Sequence, residues 1–171
     1  MKNFHSLGLL IFSSGLFLLV LTFGCVTPPE YPVVPAIEYV SMTKDTLPRG
    51  SETDSTLVTL SFTDGDGDIG YEVGGDNDLF FTDSRDGDVK PRKIPFVPEL
   101  GASNGIKGKI SFVIDNSCCI FPPPDTLYNG CFDILPQHPY DSVTYSVYII
   151  DRKGNKSNTI VLPPIYIRCF E

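Results

Sequence analysis

The chain has 171 residues, with 13 Lys and Arg against 21 Asp and Glu, a formal charge of −8. So acidic a balance excludes nucleic acid as a partner, because phosphate binding needs a basic stripe. No segment carries a long 3.6-residue period free of proline and glycine, so the chain is read as all-β.

Met1–Ser6 is a short polar start with Lys2, followed by the apolar run Leu7–Phe23 and then Gly24 and Cys25. A charged start, an apolar stretch and a small residue at the cut describe a secretory signal. At about 1.5 Å per residue the run is short for a bilayer core of about 30 Å, and Ser13, Ser14 and Gly15 interrupt it. Thr22-Phe23-Gly24-Cys25 resembles a bacterial lipobox, in which the cysteine becomes the lipidated first residue. Gly24 and Cys25 carry the likeness; Thr22 and Phe23 depart from the usual Leu and small residue. The resemblance implies a signal peptide over residues 1–24 and lipid attachment at Cys25. With Val26 after the cysteine, it also implies the outer membrane of the cell envelope. Several acyl chains, at about 0.8 kcal/mol per buried methylene, would hold the protein on that membrane.

Removing 24 of the 171 residues leaves 147, enough for one domain, and the loss of Lys2 takes the charge from −8 to −9. Residues 25–35 read as the lipidated cysteine and a tether. Val26–Pro35 holds four prolines, which predicts an extended spacer of roughly 30 Å.

Residues 36–171 read as one domain of short strands. Ile37–Thr43 is the first, Leu47-Pro48-Arg49-Gly50 turns the chain, and Thr56–Thr63 is the second. Asp78–Thr82 and Val89–Ile94 form a hairpin around Asp86-Gly87. Ile106–Ile114 alternates, with Ile106, Ile110, Phe112 and Ile114 on one face. Cys118–Pro139 is a cysteine- and proline-rich excursion, Ser142–Ile150 a strong strand, and Asn158–Ile167 the last. The expected core is Leu60, Phe62, Phe112, Ile114, Tyr145 and Val147, at alternating positions of the three clearest strands. The segment TYSVYIID-RKGN-KSNTIVL resembles the closing hairpin of bacterial immunoglobulin-like or fibronectin-III-like domains. That likeness covers residues 144–162 and implies a single antiparallel immunoglobulin-like β-sandwich, but no activity.

Cys118, Cys119, Cys131 and Cys169 remain beside Cys25. An even count in an exported chain implies disulfides, Cys131 to one of the adjacent pair and Cys169 to the other. A zinc site of Cys118, Cys119, Cys131 and His138 lacks the C-x-x-C spacing of zinc modules.

Between Asp64 and Asp88 stand nine carboxylates and six glycines, with Arg85 the single cation. Carboxylates so dense repel each other unless water or a cation separates them. Asp64, Asp66 and Asp68 alternate with glycine, and a flexible loop of alternating Asp supplies the hard oxygens calcium needs. The run resembles the calcium loops of EF-hand, dockerin and thrombospondin-repeat type, which implies the Gly70 carbonyl as a further ligand. It departs from an EF-hand in Ile69, in Gly75 where Glu is expected, and in its lack of helices. The metal reading is therefore a calcium site in a sandwich loop, with Asp76 and Asp78 completing the shell. Its rival is a solvated acidic loop of Asp-Gly turns.

No residue is singled out as catalytic, and His138 sits alone in a loop. The expected function is a membrane-tethered, non-catalytic binding or assembly module that meets a protein or glycan partner. The alternative is a calcium-dependent carbohydrate-active enzyme or its accessory domain.

Overall fold

Alternation of apolar and polar residues becomes strand structure throughout the described chain. The structure, a computed structural model, describes residues 30–170 apart from 52, 73, 99–104 and 116. The signal peptide, Cys25 and the start of the tether lie outside the described residues. The strands are β1 (Ala36–Met42), β2 (Thr46–Pro48), β3 (Thr56–Asp64), β4 (Leu79–Asp83), β5 (Val89–Arg92), β6 (Ile106–Ile114), β7 (Tyr140–Val143), β8 (Tyr145–Ile149), β9 (Ile160–Val161) and β10 (Ile165–Arg168).

The strands form three sheets, ordered β1-β3-β6, β5-β4-β8-β9 and β2-β10-β7. The first two face each other. Phe81 on β4 reaches Phe112 on β6, ring centres 5.4 Å apart, and meets Tyr145 on β8 edge-on at 5.3 Å. The fold is thus an all-β sandwich, and all six expected core residues are buried in it. Truncating a ring as enclosed as Phe81 costs about 3–5 kcal/mol, since the cavity collapses only in part.

The structure divides two segments that read as single strands. Ser142–Ile150 breaks at Thr144, with β7 in one sheet and β8 in another. Inward alternation nevertheless continues through Val143, Tyr145, Val147 and Ile149. Asn158–Ile167 breaks at Pro163-Pro164, which have no N–H to give a ladder. Both segments turn a corner between sheets, as strands do at the edges of sandwiches.

Leu47 and Pro48, expected in a turn, belong instead to β2, which pairs parallel with β10 in an otherwise antiparallel fold. Leu47 is buried there, and the turn follows at Arg49 and Gly50.

Cys118 bonds Cys131, and Cys119 bonds Cys169. The segment from Cys118 to Pro139 contains turns but no strand, so these bridges fasten what no ladder holds.

Candidate metal centre

β3 buries Thr56, Val58, Leu60 and Phe62, and the same phase carries Asp64 to the core side. β8 buries Tyr145, Val147 and Ile149, and the next inward position is Asp151. β3 and β8 lie in the two facing sheets, so the alternation aims two carboxylates at one place. Asp66 and Asp68 join them from the loop after β3.

The four side chains Asp64, Asp66, Asp68 and Asp151 each offer a carboxylate oxygen, all within 4.8 Å of one another. Oxygens about 2.3–2.6 Å from a common centre lie at most about 5 Å apart, so this spacing suits calcium. Asp64, Asp68 and Asp151 are 0–1% exposed. Oδ1 of Asp64, Oδ1 of Asp66 and both oxygens of Asp68 are shielded from water and have no hydrogen-bond partner. Buried acceptors left in this state are costly unless a cation meets them.

Burial pushes the Asp64 carboxyl up to about 6, and the charges of Asp66, Asp68 and Asp151 push the same way. The Asp68 N–H opposes them, donating to Asp64 Oδ2 at 2.9 Å. Asp68 is raised by burial and then by Asp151 and Asp66. Burial would raise Asp66 too, but Lys153 takes it below the usual range, its Nζ donating to Oδ2 at 2.5 Å. Lys153 is 4.0 Å from Asp68 Oδ2 and largely exposed. The charges of Lys153 and Arg152 both oppose that rise at Asp68, yet burial and the neighbouring carboxylates outweigh them.

Asp151 also builds its own turn. Its Oδ1 accepts from the N–H groups of Lys153 and Asn155, at 2.9 and 2.7 Å, and its Oδ2 accepts from the Asn155 amide at 2.8 Å. The Arg152 N–H donates to the Asp68 carbonyl at 3.1 Å, joining this turn to the acidic loop.

The other expected ligands lie outside the four. The Gly70 carbonyl accepts from Arg152 Nη1 at 2.8 Å. Gly70 has φ +79° and a Cβ there would stand 2.4 Å from the Pro95 carbonyl oxygen, so only glycine fits. Asp78 is buried, but its Oδ1 accepts from the Ile94 N–H at 2.6 Å. Asp76 is exposed. Asp151 was missed because D-R-K-G-N reads as a turn. The signal that finds it is two-residue counting past the end of β8.

His138 pairs with Asp125, Nε2 to Oδ2 at 3.0 Å, and lies against Phe121. Among the basic residues near the acidic run, Arg92 sits 5.2 Å from the Phe81 ring centre and reaches Asp115.

No protein-family model matches the chain, and no curated protein matches it. Among solved structures it is similar to one described as "X-ray structure of Northeast Structural Genomics Consortium target SoR45". The identity is 11% and the TM-score 0.28, over 78% of this chain and 83% of that one. A likeness that slight carries no argument about fold or function.

Proposed function

We propose that this protein is a lipid-anchored, non-catalytic module of the cell envelope whose acidic cluster holds a calcium ion. One observation carries the metal reading: four carboxylates converge on the core side of a sandwich with buried oxygens that nothing bonds. An all-oxygen, all-carboxylate donor set favours a hard cation, and magnesium is the weaker choice because it keeps several waters. Asp64, Asp66, Asp68 and Asp151 are the side-chain ligands.

The same burial argues against the carbohydrate-active alternative. A glycosidase needs two carboxylates flanking a sugar in an open cleft, whereas three of these four are closed to solvent.

The binding or assembly role rests on the other end of the sandwich. The disulfide-held segment joins the Thr56 end of β3, where the Gly50 N–H donates to the Ser117 carbonyl. It exposes Leu127, Tyr128, Phe132 and Ile134, with Leu127 at 96% and Phe132 at 78%. Four large apolar side chains exposed within eight residues of one segment support contact with a protein or glycan partner. Pro32 is bonded to Gly65, beside Asp64 and so at the opposite end of β3 from this segment.

Thermal melting tests the metal, and mass spectrometry of membrane-extracted protein tests the anchor. Millimolar calcium should raise the melting temperature, and the rise should vanish in Asp66→Asn/Asp68→Asn. An unchanged melting curve at about 10⁻² M calcium leaves only a solvated acidic loop. An N-terminus elsewhere than a lipidated Cys25 removes the anchor.

A further inference from the structure

Gly65 lies between two carboxylates of the cluster, and the end of the proline-rich stretch covers it. The Gly65 N–H donates to the Pro32 carbonyl at 2.8 Å. A Cβ on Gly65 would stand 2.2 Å from the Tyr31 carbonyl oxygen and 2.7 Å from the Pro32 carbonyl carbon. Gly105, beside it, is equally confined: a Cβ there would stand 2.6 Å from the Asp64 carbonyl oxygen and 3.0 Å from the Tyr31 ring. Two glycines therefore make the seat on which residues 31 and 32 rest. The seat exists only while the backbone from Asp64 to Asp66 holds its present course.

We propose that calcium in the cluster and the docking of residues 31–32 are coupled, so that the ion sets where the tether leaves the domain. The inference rests on the calcium reading above. Calcium fixes the Asp64 and Asp66 carboxylates and with them the peptide at Gly65, which holds Pro32. Without the ion, four converging carboxylates repel, the loop opens, and the seat for Tyr31 and Pro32 is lost. Coupling is reciprocal, so the docked segment must raise calcium affinity by the factor by which calcium favours docking. The chain then becomes a calcium-dependent spacer: short and held when the ion is bound, longer and free when it is lost.

The test uses the detergent-solubilised full chain and a Glu-specific protease, reading cleavage after Glu30 by mass spectrometry. Calcium at about 10⁻² M should slow that cleavage at least about fivefold relative to chelator. Gly65→Ala, which cannot accept the segment, should be cleaved fast in both conditions. Because that change lies inside the loop, Tyr31→Ala is the companion variant. It touches no ligand, and it should weaken calcium binding by the factor seen in the protease assay. If calcium raises the melting temperature while cleavage after Glu30 and the Tyr31→Ala affinity stay unchanged, the coupling is overturned and the metal site stands. If calcium leaves the melting temperature unchanged, both fall.

Discussion

Asp64 and Asp151 hold matching inward positions at the ends of β3 and β8, in facing sheets, and their carboxylates meet at the margin of the core. Each continues a run of buried apolar residues by one more alternate step. The sandwich itself thus assembles half of the acidic cluster, and the glycine-spaced loop supplies the rest.

Asp151→Asn tests that relationship. Asparagine keeps an oxygen for the Lys153 and Asn155 N–H groups. The Asn155 side-chain amide loses its acceptor but can turn its own oxygen to the new NH2, so the turn should survive. Calcium at 100 times its dissociation constant should stabilise the wild type by about 2.7 kcal/mol, some 5–10 °C for a domain of this size. The variant should lose most of that shift while melting at or above the wild-type temperature without calcium. A full calcium shift in Asp151→Asn would remove β8 from the site.

Lys153 offers a second test, because its ammonium occupies Asp66 Oδ2. Lys153→Met should destabilise the calcium-free protein by about 1 kcal/mol, as expected for a largely exposed pair. It should also tighten calcium binding severalfold, since no cation competes at that oxygen. Calorimetric titration of both proteins decides it. A destabilised variant that calcium does not restore would mark Lys153 as the cluster's proper counter-ion.

Much of the fold was legible because its strands are half-buried and alternate cleanly. Leu60, Phe62, Phe112 and Ile114 could be placed on the core face by counting in twos. The corners at Thr144 and Pro163-Pro164 were harder to read, because alternation continues across a change of sheet. β2 was hidden since Thr46–Pro48 is short and its partner β10 lies far along the chain. In the site, Asp64, Asp66 and Asp68 stood out through local spacing. Asp151 did not, because its tie to them is tertiary: the Arg152 N–H bonded to the Asp68 carbonyl. Asp78 was expected to complete the shell, yet its Oδ1 accepts from the Ile94 N–H instead.

Arg85 organises charge at the other end of the sandwich. It pairs with Asp83 at 2.7 Å and Asp141 at 2.6 Å, and donates to the Cys118 carbonyl at 3.0 Å. Burial would raise Asp83, but hydrogen bonds from Arg85 hold its carboxyl below the usual carboxylate range. A carboxylate depressed in this way stabilises the fold above its unfolded pKa of about 4 and loses that contribution as the pH falls through its folded value. Arg85→Met should cost about 3–5 kcal/mol at pH 7, where it strands two carboxylates. The cost should shrink near pH 3, because without the Arg85 guanidinium burial acts on Asp83 and favours its neutral form. Urea unfolding at the two pH values measures it, and an equal loss at both would contradict the ion-pair account.

Direct calcium titration of the metal-free wild type, followed by isothermal calorimetry, tests the central claim most plainly. The account predicts one ion per chain, with a dissociation constant at or below about 10⁻³ M, and no saturable binding in Asp66→Asn/Asp68→Asn. Heats of dilution alone in the wild type, or an unchanged isotherm in the double variant, would contradict it.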